Sequence, residues 1–189
     1  MSLEVTSLYI IVTFYFIGSV PFALLVYKLL RTKDPRTAGS LNPGATNMYR
    51  IAGAKAGVIT FVGDFSKGFL PIVFISEYNQ ALLYFYSIFI LLGHMFSIFN
   101  RFSGGKGVAT SFGFLVAIDY VIGLAIIFTW ILVFILKRIS GLSAIVSFIL
   151  LPIIIYILNN EYNLLILSIL HTLVILYNHK KNIRALLNS

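Results

Sequence analysis

The sequence predicts an all-α integral membrane protein of seven transmembrane helices, one domain over residues 1–189, with its N-terminus outside and its C-terminus cytoplasmic. Three observations predict it. Apolar runs recur at 5–30, 57–76, 81–100, 107–118, 120–136, 142–158 and 162–178, most of them near the length a helix needs to cross a bilayer. Mean hydropathy is +0.97, with 59% hydrophobic and 11% charged residues, which places the chain among membrane proteins. The charges are also segregated. Counting Lys28 at the end of the first run, 13 of the 14 Lys and Arg residues fall in segments 31–56, 101–106, 137–141 and the tail from 179. The alternate turns carry Glu4, Glu77, Asp119 and Glu161 and no basic residue. That is the positive-inside pattern, and an even number of spans would destroy it.

The same asymmetry accounts for the net charge of +8 without nucleic acid, because a basic inner face favours anionic lipid and anionic substrates. The chain contains no cysteine, which excludes disulfides, thioester intermediates and thiolate metal sites. Residues 1–6 carry Glu4 and no basic residue, so the first run reads as a retained anchor rather than a secretory signal.

Taken in order, the first run leads into segment 31–56, which is too long for an idle connection. Asn42 followed by Pro43 predicts a helix start, with Asn42 as N-cap. The short helix then brings Thr46, Asn47 and Arg50 together at spacings of three and four, with Ser40 just ahead. Polar donors, a helix N-terminus and an arginine can hold a phosphate; an amphipathic surface helix is the alternative. The second run is interrupted by G-D-F-S-K-G and Pro71. Asp64 and Lys67, three apart, are either a buried pair that fixes packing or a substrate contact. The fourth run is short, and a five-helix reading that merges 107–136 is the main alternative.

Between the third and fourth runs lies S-G-G-K-G-V-A-T, residues 103–110. Gly104, Gly105 and Gly107 bracket Lys106, so consecutive backbone N–H groups, a helix N-terminus and an ammonium group can converge on an anion. It is not a nucleotide-binding P-loop, since Asn100 and Gly107 stand where that motif needs Gly and Ser or Thr. The third basic segment offers Ser140 and Ser143 at the start of the sixth run, one of them expected as an N-cap. The tail places His179 and Asn182 on one face, and His171 reads as a packing residue.

Under seven spans every polar cluster reaches one face, and three candidate cations, Arg50, Lys106 and His179, suit phosphate-bearing substrates whose acyl chain lies among the helices. Paired catalytic carboxylates, a Gly-x-Ser-x-Gly elbow and His-Glu-x-x-His do not occur, nor does a histidine with an aspartate five residues later. A covalent acyl-enzyme therefore lacks an obvious nucleophile.

G-S-V-P-F at 18–22, G-S-L-N-P-G-A-T-N with Arg50, D-x-x-K-G-x-x-P at 64–71, G-H-x-F with G-G-K-G-V-A-T, and H-x-x-N-I-R at 179–184 resemble the bacterial acyl-phosphate:glycerol-3-phosphate acyltransferase family, PlsY, over nearly the whole chain. The resemblance implies a seven-helix enzyme of the bacterial plasma membrane with a cytoplasmic active site. It would transfer an acyl group from acyl phosphate to the 1-position of glycerol 3-phosphate, giving lysophosphatidic acid and phosphate. It also implies Arg50, Lys106, His179 and Asn182 as catalytic, with Ser40, Asn42, Thr46, Asn47, Gly104, Gly105, Gly107 and Ser143 binding substrate, and neither metal, cofactor nor protein partner. One departure is visible: the family serines of the third segment fall on Gly141 and Ala144. Direct transfer without an acyl-enzyme is the expected mechanism, with His179 or a substrate phosphate as base. The competing class is a transporter or flippase for a phosphorylated metabolite or lipid, and a non-catalytic lipid scaffold is a third reading.

Overall fold

The computed structural model describes residues 3–159 and 161–188, with side chains from Val5; the expected exposure of the Glu4 side chain lies outside the described residues. The described residues form helices throughout: α1 (Leu3–Ser19), α2 (Phe22–Leu29), α3 (Ala45–Val73), α4 (Gln80–Met95), a 3-10 turn (Ile98–Asn100), α5 (Val108–Ile118), α6 (Tyr120–Lys137), α7 (Ser140–Leu158), α8 (Tyr162–Asn178) and α9 (Lys180–Leu187). Five stretches are long and apolar enough to cross a membrane: Val5–Leu29, Ala45–Val73, Gln80–Asn100, Tyr120–Lys137 and Ser140–Leu158. Helices α8 and α9, bent by 67°, supply a sixth when taken as one element. At 11 residues α5 is about 16 Å long, well short of a bilayer core.

Pro21 splits the first run into α1 and α2, since it has no N–H to continue the ladder. The carbonyls freed at this break are taken up from elsewhere: Ser97 Oγ donates to Ser19 O and Lys67 Nζ to Val20 O at 2.8 Å. The second run differs from expectation. Neither G-D-F-S-K-G nor Pro71 interrupts it; the break comes ahead of the run, at Gly53, whose φ of +82° separates a short surface helix from the long apolar remainder of α3. Nor does Asn42 cap α3, which starts at Ala45 with Gly44 as N-cap, two residues later than expected, because Leu41 enters a left-handed turn (φ 60°).

Backbones approach closely where glycine allows it. A Cβ on Gly68 would strike Thr110 O and one on Gly113 would strike Phe65 O, so α3 and α5 lie nearly in van der Waals contact along their backbones. Helices α5 and α6 do not fuse. Asp119 turns the chain sharply in extended geometry, and its carboxylate accepts from Val121 N (2.9 Å) and Ile122 N (3.2 Å), capping α6. The core runs through α4, α5, α7 and α8 around Tyr84, Ile90, Phe114, Phe148 and Leu151, while α6 presents Leu124, Phe128, Leu132 and Ile135 outward as a lipid-facing surface.

Candidate active site

One end of the bundle holds a cavity of about 610 Å³. The surface turn of α3 brings Thr46 and Arg50 to it, the loop before that brings Ser40 and Asn42, and the loop entering α5 brings Lys106 and Gly107. Ser140 and Gly141 reach it from the start of α7, and His179 and Asn182 from the α8–α9 bend. Four segments that lie far apart in sequence therefore meet as expected. Lys106 Nζ donates to Asn182 Oδ1 at 2.5 Å, which ties the glycine loop to the tail. Burial lowers the Lys106 pKa from its ordinary value, and the nearby charge of Lys181 lowers it further.

Some expected roles change. Asn47 borders the cavity, but its side chain is committed to the loop: Oδ1 accepts from Ser40 N (2.8 Å), and Nδ2 donates to Pro35 O (3.0 Å) and Ala38 O (3.1 Å). It braces the loop ahead of α3. Gly104 N and Gly105 N donate to Met95 O (2.9 Å) and His94 O (3.2 Å), so their N–H groups close the loop onto α4 rather than facing the cavity. The available anion donors come slightly later. Gly107, left-handed at φ 87°, turns the chain into α5, whose first residues Val108 and Ala109 line the cavity with N–H groups that have no intrahelical acceptor.

Ser143 is displaced as well. It is fully buried, with its hydroxyl donating to Ile139 O (3.0 Å), and it lies outside the cavity lining. The expected serine cap of α7 is absent, since Ile139 is the N-cap, and Ser140 is the serine that borders the cavity. Gly141 has a positional reason: a Cβ there would strike Asn182 Nδ2, so α9 packs against a bare backbone.

His179 is 2% exposed, and its Nδ1 lies 2.9 Å from Ile175 O. Burial lowers its pKa to about 4, against an opposing contribution from that backbone contact, with the Lys106 charge lowering it further. It is therefore a neutral imidazole near neutral pH, not the third cation the sequence suggested. Arg138 takes that place. It ends α6 in a left-handed conformation (φ 56°) and borders the cavity, although in sequence it was visible merely as one more basic residue between helices.

The rest of the lining is apolar. Ile127, Trp130, Ile131 and Phe134 form a stripe along α6 facing Phe61 of α3, with Phe112 of α5 beneath. Spacings of three and four mark this face, but α6 is apolar all round, so its pattern cannot distinguish a groove from a lipid contact. Asp64 and His94 also border the cavity; the sequence left Asp64 as either a packing pair with Lys67 or a substrate contact, and gave His94 no role. His94 stood in the sequence within the G-H-x-F motif ahead of the glycine loop, a signal that carried no assigned role.

A family model described as glycerol-3-phosphate acyltransferase matches residues 8–189. The chain belongs to this family. A relative named glycerol-3-phosphate acyltransferase from Ruthia magnifica subsp. Calyptogena magnifica is 42% identical over 189 residues, covering 98% of this chain and 95% of its own. One of the same name from Shewanella sediminis (strain HAW-EB3) is 40% identical, covering 99% and 94%. Among solved structures, the glycerol 3-phosphate form of PlsY (YgiH), an integral membrane glycerol 3-phosphate acyltransferase, aligns with a TM-score of 0.91 at 34% identity, covering 97% of this chain and 92% of that one. Its lysophosphatidic acid form aligns at 0.89 and 33% identity, with the same coverages. Membership of the PlsY family makes the transporter and scaffold readings unnecessary to account for the cavity.

Proposed function

We propose that the protein transfers an acyl group from acyl phosphate to the 1-hydroxyl of glycerol 3-phosphate, releasing lysophosphatidic acid and phosphate, at the cytoplasmic face of a bacterial plasma membrane. The observation that carries this reading is the shape of the cavity: a cationic, hydrogen-bonding end built from Arg50, Lys106, Arg138 and Asn182, continuous with an apolar slot between α3 and α6. A phosphorylated head fits the first part and an acyl chain the second. The charge segregation supports seven spans, with α5 as a short one and the C-terminus cytoplasmic.

The reaction is direct. The substrate hydroxyl attacks the acyl carbonyl, the new ester C–O bond forms, and the carbonyl-to-phosphate C–O bond breaks with its electron pair going to phosphate. Arg50, Lys106 and the first N–H groups of α5 hold the two phosphates so that the hydroxyl and the carbonyl meet, and positioning with charge neutralisation supplies most of the acceleration. The hydroxyl proton passes to a phosphate oxygen of the substrate. His179 is poorly suited as base, because a group with a pKa of about 4 accepts a proton weakly at neutral pH. Its neutral ring serves instead as a hydrogen-bonding wall.

The test is purified protein in lipid with acyl phosphate and glycerol 3-phosphate, following phosphate and lysophosphatidic acid, beside an acyl-CoA control. Stoichiometric product from acyl phosphate alone is expected. Product from acyl-CoA alone would overturn the donor assignment, and no product from either in folded protein would overturn the reaction.

A further inference from the structure

Starting at the cavity wall is a chain of ionisable groups that the proposed reaction does not use. Asp64 and Lys67 stand one turn apart on α3 and are both buried, with Oδ1 and Nζ 2.9 Å apart. His94, near the end of α4, presents Nδ1 at 3.5 Å from the same carboxylate oxygen. Lys67 Nζ continues the chain by donating to Val20 O at the α1–α2 break. A carboxylate bordering an anion-binding cavity repels the ligand unless it is neutralised, and Lys67 is placed to do so. Ionisable groups at membrane depth are costly and are kept for a purpose.

The purpose is visible at Gly105. The backbone carbonyls of His94 and Met95 hold Gly105 N and Gly104 N. The His94 ring lies directly against Gly105, where a Cβ would strike Nε2, and Pro43 O lies 3.0 Å from the same Cβ position. The glycine loop is thus clasped between His94 on one side and the substrate loop of Asn42 and Pro43 on the other. A second tie joins the two loops: Arg36 Nη1 donates to Asn100 Oδ1 at 2.9 Å, and Asn100 Nδ2 donates to Ser103 O.

We propose that Asp64, Lys67 and His94 are positioning residues that hold the glycine loop against the substrate loop and so fix Lys106 relative to Arg50. They act through the loops and not on the reacting atoms. That the spacing matters to acyl transfer rests on the proposed reaction; the clasp itself does not.

The absence of cysteine makes the spacing directly measurable. Nitroxide labels at Leu41→Cys and Phe102→Cys, both exposed, report the separation of the two loops without substrate. Wild type should give one narrow distance distribution. His94→Ala, and the charge-free double variant Asp64→Asn/Lys67→Met, should broaden it, raise KM for glycerol 3-phosphate and lower kcat about 100-fold, the scale expected for an ångström of misplacement. A folded variant of either kind with wild-type distances and wild-type KM overturns the proposal. So does failure of both to fold where wild type is stable, which would leave packing as their role. Absence of acyl transfer by wild type refutes the proposed reaction instead, and the distance measurement remains readable.

Discussion

A core histidine and two cavity arginines mark regions of different character. His171 of α8 sits in the core between α4 and α5 with both ring nitrogens occupied: Nδ1 is 2.8 Å from Tyr84 Oη and Nε2 is 2.8 Å from Ser111 Oγ. Its ring packs against Phe114 and Phe148. Two arginines of the cavity show the reverse. Arg50 and Arg138 have no internal acceptor among the described residues, and all five non-glycine residues with positive φ, namely Arg31, Leu41, Arg101, Phe102 and Arg138, lie in the loops at the cavity end. Such conformations cost on the order of 1–3 kcal/mol each and persist where surrounding contacts impose them. A saturated polar group holds helices together, whereas unspent hydrogen-bonding capacity and backbone strain collect where something else binds.

The largest effects should come from the unsaturated side. Arg50→Ala and Lys106→Ala should each reduce kcat/KM for acyl transfer by about 10²–10³-fold, the scale for losing a preorganised charge-stabilising donor. Thermal midpoints in detergent should change little, because Arg50 is exposed and Lys106 gives up a single side-chain bond. Near-wild-type turnover in Lys106→Ala would remove the phosphate cradle from the mechanism.

The saturated side should behave in the opposite way. His171→Leu leaves Tyr84 Oη and Ser111 Oγ buried without their partner, at about 1–3 kcal/mol for each hydroxyl. Thermal stability should fall while activity per folded molecule stays near wild type. If activity falls with stability intact, His171 belongs to the site and the division drawn here fails.

The division also explains how much could be read in advance. Apolar runs and charge placement reveal helices and their order because both follow from the bilayer itself, and the run of Gly104–Gly107 with Lys106 marks the site because few packing needs call for that combination. Asn42, Asn47, Gly104, Gly105 and Ser143 show the limit. The sequence identifies them as polar or flexible residues in the right segments, but whether a donor faces the cavity or its own backbone depends on where α4, α7 and the Leu41 turn lie in space. The α6 stripe was concealed for the complementary reason: in an apolar helix, a residue that lines a slot and one that meets lipid follow the same periodicity.

His179 falls between the two regions, buried like His171 yet bordering the cavity. Its folded pKa of about 4 lies below the ordinary value of 6.5, so the unfolded chain binds the extra proton first. Its contribution to stability is complete above pH 6.5 and is lost as pH falls toward 4. Thermal midpoints of wild type should decline over that window, and His179→Gln should remove part of the slope. Turnover between pH 7 and 8 should show no titration from this ring.

The smallest expected effect is at Ser143, and it separates the geometry from the family resemblance. Resemblance assigns a substrate-binding serine to this segment, whereas here the Ser143 hydroxyl donates to Ile139 O within its own helix and receives no exposure to the cavity. Ser143→Ala therefore removes a local bond worth about 0.5–1.5 kcal/mol and should leave kcat and both KM values within about twofold. Ser140→Ala is the matched control, since Ser140 borders the cavity and should raise KM for a phosphorylated substrate. If the two variants exchange these phenotypes, the start of α7 turns by about 60° and shifts by about 4.5 Å along its axis when substrate binds, the offset between residues three apart on a helix. Gly141 would then leave the Asn182 amide that now packs against it, and the bond between Asn182 and Lys106 would be the next contact to change.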